Sequence, residues 1–173
     1  MRRFRVAVAP RTLNLVAVGK FAGLLALALL IPMFGLDQRF TGPLVNALLL
    51  ISTITVGVPG AIMVGALPSV VSLARGTLPL PMAAMVPYII VGNAALILVF
   101  ATLRPRGYWL AVGVGAVIKF GLLLTAVNYL VAVPPSLAVM MQWPQLYTAV
   151  LGGVIAWGII RFSRLWRQRT HTG

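Results

Sequence analysis

"GVGAVIKFGLLLTAV", Gly113 to Val127, holds a single charged residue, Lys119. Apolar sequence continues on both sides, from Tyr108 to Val133. A helix needs about 20 apolar residues to cross the hydrocarbon core of a bilayer, so this run reads as a spanning helix. The ammonium group then needs explaining. Lys119 is eleven residues beyond Tyr108, which places it about 16 Å along the helix, near mid-membrane. An ionisable group there costs about 2.5–3.5 kcal/mol on insertion scales and should face the protein interior or a wet cavity. Helical spacing puts Val112, Gly115, Ala116, Leu123 and Ala126 on the same face. Three of these are small and leave room beside the amine, or let a neighbouring helix pack closely against it.

The whole chain supports the same solvent. Of its 173 residues 61% are hydrophobic and 9% charged, whereas soluble domains carry about 25% charged residues. The net charge is +13, from fourteen Lys and Arg against one acid, Asp37. In a soluble chain that excess would suggest nucleic acid. Here Arg2, Arg3, Arg5 and Arg11 precede the first apolar segment, and Arg161, Arg164, Arg167 and Arg169 follow the last. Such clusters fix membrane orientation beside anionic headgroups, so no nucleic-acid partner is expected.

Six apolar segments follow along the chain: 13–34, 43–58, 60–74, 87–103, 108–133 and 143–162. The first, behind its arginines, imitates a secretory leader. Pro32-Met33-Phe34-Gly35 is a poor cleavage site, so the segment is kept as a helix. Val58-Pro59-Gly60 reads as a turn between the second and third segments. "RGTLPLPMAAMVP", with three prolines after Arg75, reads as a long structured loop. With the N-terminus inside, the inner segments hold ten arginines and the outer loops only Arg39 and Arg75. The expectation is one all-α transmembrane domain over 1–173, a six-helix bundle with both termini inside.

Polar residues inside this frame are the candidate site. No acid lies in any segment, so Lys119 has no internal counter-ion. A bound anion such as a substrate carboxylate is one answer, and an uncharged amine another. Asn93 and Asn46 each need hydrogen-bond partners, from a ligand or from a neighbouring helix. Asn128 is nine positions from Lys119 and points the opposite way on a regular helix. "MMQWPQL" opens the last segment. Gln142 and Gln145 flank its proline, and Trp143 suits the interfacial belt. A helix start there favours an anion. Tyr88 and Arg75 border the proline-rich loop, which is placed to close as a lid. The chain has no cysteine, and its single histidine, His171, is in the tail. A metal site, a catalytic nucleophile with its base, and a cofactor are therefore not expected, and no enzyme activity is. On the first segment Ala22 and Ala26 form a small stripe that lets another helix approach.

These features resemble the substrate-binding S component of an energy-coupling factor (ECF) transporter: six short helices, no ATP-binding loop, and Ala-x-x-x-Ala on the first helix. "TGPLVNALLLI" (41–51), "PYIIVGNAALILVF" (87–100), "IKFGLLL" (118–124) and "QWPQLYTAVLGG" (142–153) are similar to a bacterial membrane family often mislabelled "iron hydrogenase". The resemblance spans about residues 13–160. It implies a vitamin-like small-molecule substrate captured from outside, under outer loops at 35–42, 75–86 and 133–142. It also implies that Ala22 and Ala26 dock on a transmembrane T component driven by two cytoplasmic ATPases, in a bacterial cytoplasmic membrane. The metal-ligating N-terminal histidine of nickel and cobalt S components is missing. Two other readings stay open: a structural scaffold resembling the rod-shape protein MreD, and an autonomous small-solute facilitator.

Overall fold

The computed structural model describes residues 15–34, 37–76 and 78–170. Arg2, Arg3, Arg5, Arg11 and His171 lie outside the described residues, and of Arg167 and Arg169 only the helical backbone is described. Among the described residues there is no strand. The helices are α1 Leu15–Leu30, α2 Gln38–Thr55, α3 Gly57–Ala74, α4 Val86–Leu103, α5 Tyr108–Thr125, a short α6 Pro135–Ala138, and α7 Trp143–Thr170. Five stretches are long and apolar enough to cross a membrane: Leu15–Phe34, Gly57–Ala74, Leu80–Leu103, Tyr108–Leu130 and Pro135–Leu165. This is the architecture of an all-α, multi-pass membrane protein. The outward faces agree with it. Trp109, Val117, Ile159 and Phe162 are all more than half exposed, an apolar surface that water would not tolerate at this density.

Several helix limits differ from the sequence reading, each for a local reason. α2 begins at Gln38, five residues before Pro43, because Asp37 caps it: its Oδ1 accepts the Arg39 N–H at 2.8 Å. α2 also ends earlier, at Thr55. The chain turns at Gly57, whose φ of +81° only glycine adopts without strain. Pro59 and Gly60 therefore sit in the first turn of α3 and not in a turn. The proline-rich stretch is not an extended loop. It winds as a 3₁₀ turn, Leu80–Met85, straight into α4. α5 continues as a π turn over Ala126–Leu130 and then becomes extended, short of Val133. Asn128, on that turn, is exposed. α7 runs on to Thr170. At 1.5 Å per residue it is about 42 Å long, more than the roughly 30 Å of hydrocarbon, so its arginine-bearing end projects past the core.

α2 is the central helix, packed against α7, α3, α4 and α1, while α5 closes the bundle against α4 and α7. Close approach depends on glycine. A Cβ on Gly152 of α7 would stand 2.6 Å from Asn46 Cβ and 2.9 Å from Ala47 N on α2. One on Gly153 would stand 2.5 Å from Val112 Cγ1 on α5. α1 is peripheral. Ala28 is its one buried residue, and Ala22 and Ala26 are exposed on its outer side. Buried side chains form two clusters. One holds Leu49, Leu50, Leu96, Ile97, Phe100 and Val112. The other, built by the connecting segments, holds Met82, Met85, Leu123, Ala126, Val127 and Met141.

Candidate functional site

On α5, Lys119 lies one turn from Leu123 of the second cluster and two turns from Val112 of the first. It is 3% exposed. Its Nζ donates to Asn46 Oδ1 on α2 at 2.7 Å. That contact fixes the Asn46 amide, since only the carbonyl oxygen can accept from an ammonium. Asn46 Nδ2 then donates to Gly42 O at 3.0 Å and to Thr148 Oγ1 at 3.4 Å. Thr148 Oγ1 in turn donates to Gln145 O at 3.3 Å. A polar chain thus crosses α5, α2 and α7. The remaining Lys119 N–H groups have no acceptor among the described residues. The one acid, Asp37, is exposed and sits 3.6 Å from Arg39 Nε, so the buried cation has no carboxylate beside it.

Lys119, Asn46, Asn93 and Gln145 line one cavity of about 320 Å³ at the end of the bundle that carries the 75–85 and 131–142 connections. Asn93 Nδ2 donates to Gly65 O on α3 at 3.0 Å, and Gln145 Nε2 to Met140 O at 3.0 Å. Both amides are therefore half used. Their carbonyl oxygens take no hydrogen bond from the described residues and remain able to accept one. Thr41, Ser69 and Ser72 add hydroxyls, while Leu78, Met82 and Met140 supply apolar cover. The cavity is a largely apolar chamber with one cation on its wall and a few hydrogen-bonding groups around it. Ligand sites commonly have this composition. It suits a molecule with an apolar body and one anionic or carbonyl end.

The other four expected residues stand away from the chamber wall. Trp143 is 70% exposed, its ring 5.1 Å from that of Phe120. Tyr88 packs against the Met82–Leu123 cluster. Arg75 follows α3 and is exposed, its Nη1 3.7 Å from Met33 Sδ. Gln142 precedes α7, and its backbone oxygen accepts the Gln145 N–H at 2.9 Å. On that side the chamber is lined instead by Leu78, Met82, Leu137 and Met140.

Sequence reading missed Thr41, Ser69, Ser72 and Thr148. A signal was present. Gly65, Ser69 and Ser72 recur at four and three residues, and Gln145 and Thr148 at three, which places small polar groups on one face of an apolar helix. Among the described residues no group of three His, Cys, Asp or Glu stands together to hold a metal ion. No family model, curated protein or solved structure matches the chain.

Proposed function

We propose that this chain is the substrate-capture subunit of an ECF-type importer, a six-span protein with both termini inside a bacterial cytoplasmic membrane. It binds a small vitamin-like or anionic solute in the Lys119 chamber from the outer side. It then passes the solute inward together with a T component and two ATPases, without bond-making chemistry of its own. The observation that carries this reading is the buried amine of Lys119. No acid of the chain balances it, and it opens on a largely apolar cavity. Such a charge is costly unless something compensates it, and a bound anion does so while gaining from the low dielectric. The orientation rests on charge: Arg104, Arg161 and Arg164 surround the opposite end of the bundle, whereas Arg39 and Arg75 lie at the chamber end. Ala22 and Ala26 on the exposed face of α1 give the T component a surface for close approach.

One observation favours the scaffold reading. Lys119 already has an oxygen partner in Asn46, so the polar chain also serves as an interhelical tie. Mass spectrometry of small molecules that co-purify with the detergent-solubilised protein separates the two. An importer subunit yields a ligand that Lys119→Ala loses. A scaffold yields none from either protein.

A further inference from the structure

At the end of the bundle opposite the chamber, a second cavity of about 250 Å³ lies between α2, the α4–α5 connection and α7. Arg104, Arg161 and Arg164 line it, together with Tyr108, Trp157 and Ile160. Three arginine side chains therefore line one hollow. None has a hydrogen-bond acceptor for its side chain among the described residues, and the one acid of the chain, Asp37, is at the other end. Like charges brought together in this way repel unless an anion sits between them.

The surroundings favour a definite geometry. Arg161 lies over the Trp157 ring, 5.2 Å from its centroid. Stacking holds a guanidinium by its face and leaves its N–H edge free to donate. Tyr108 is anchored by its hydroxyl, which donates to Gly153 O at 2.7 Å, so this wall is fixed to the α5–α7 contact. Each guanidinium fork pairs with two oxygens. A planar carboxylate satisfies one such fork. The two non-bridging oxygens of a phosphodiester project from a tetrahedral centre and each accept from more than one direction, so guanidinium groups from different elements can share them. Beside the cavity, the Trp109 and Trp157 rings lie 5.9 Å apart and are 52% and 39% exposed. Paired tryptophans at the end of spanning helices mark the depth where headgroups meet acyl chains.

We infer that Arg104, Arg161 and Arg164 form a specific, saturable site for a phosphate group, supplied by an anionic phospholipid whose chains lie along Trp109 and Trp157. This differs from diffuse attraction of a basic tail, because it needs these three side chains and not net charge alone. It is independent of what the Lys119 chamber binds.

Native mass spectrometry of the full chain in detergent tests the site. Phosphatidylglycerol, phosphatidylcholine and inorganic phosphate are titrated separately. One tightly bound phosphatidylglycerol is expected, retained at least fivefold better than phosphatidylcholine. Arg104→Gln, Arg161→Gln and Arg164→Gln should each weaken it about fivefold, the worth of one arginine at an anionic surface. Arg39→Gln, at the other end, should leave it unchanged. The three arginines are exposed, so the variants keep the fold, and a triple Arg→Lys variant checks that the loss follows the guanidinium fork. If inorganic phosphate saturates the same site and is lost in the same variants, the site stands and its source is a free phosphate. Equal retention of the two lipids, or phosphatidylglycerol binding that survives all three Gln variants, overturns the proposal.

Discussion

Lys119 Nζ stands 2.7 Å from Asn46 Oδ1, joining residues 73 positions apart and tying α5 to α2. This pair is buried and forms a polar edge of the chamber. Asn46 gives the cation one oxygen and no compensating charge. Part of the cost of burying the amine is therefore unmet by the chain itself, and under the proposed importer function a bound anion would meet it.

Lys119→Met tests that cost. Removing the buried cation relieves about 2.5–3.5 kcal/mol. Leaving Asn46 Oδ1 without a donor costs about 1–3 kcal/mol. The two nearly cancel, so the expected change in stability is under about 2 kcal/mol, and under the proposed function any co-purifying ligand should be lost. Thermal unfolding in detergent would contradict the arrangement if the variant failed to fold or lost more than twice that amount.

Asn46→Leu should behave differently, because it strands the cation. Losing one partner of a buried charge costs about 3–5 kcal/mol. The double variant Lys119→Met with Asn46→Leu should recover most of it, since neither group is then left alone. A double-mutant cycle reads the coupling directly. Additive effects would mean that the two side chains do not meet.

Gly152→Ala should loosen the α2–α7 contact. The new Cβ would lie 2.6 Å from Asn46 Cβ and 2.9 Å from the Ala47 and Pro43 backbones, and backbone does not yield as a side-chain tip does. Overpacking of this kind costs about 1–3 kcal/mol. Gly113→Ala is the control, because nothing lies within 4 Å of its added methyl. Equal melting temperatures for the two variants would show that the helices are not this close.

Sidedness can be read with single cysteines, since these 173 residues include none. Leu80→Cys, 81% exposed at the chamber end, should react in intact cells with a membrane-impermeant maleimide. Arg106→Cys, at the arginine end, should react only after permeabilisation. The reverse pattern would invert the orientation and place the chamber on the cytoplasmic side.

The helical segments and the candidate cation were legible because both depend on local quantities. An apolar run of sufficient length has few alternatives in lipid, and a lysine within it must turn inward. The face expected around Lys119 holds: Val112, Gly115, Ala116, Leu123 and Ala126 are all buried. Asn46 and Asn93 were also readable, as amides that need partners inside apolar helices, and Gln145 was singled out by the Gln-Trp-Pro-Gln helix start; all three line the chamber. Arg75 and Tyr88 were placed by their position beside the proline-rich stretch, and Gln142 and Trp143 by the Gln-Trp-Pro-Gln start of the last helix. Proximity in sequence does not say which side chains the packed helices and their connections turn toward the chamber.

Composition and hydrophobic length alone determined that this chain is helical, takes lipid as its solvent, and carries one lysine deep in an apolar helix that no acid in its helices can balance. Only the tertiary structure decided that Asn46 is the residue that meets Lys119, that Gly152 and Gly153 set the helix spacing, and that methionines from two separate connections cover the chamber. The division has one physical cause. Solvation of a segment is fixed by its own residues, whereas the partner of a buried group is fixed by which helices pack together, and that contact spans distant parts of the chain.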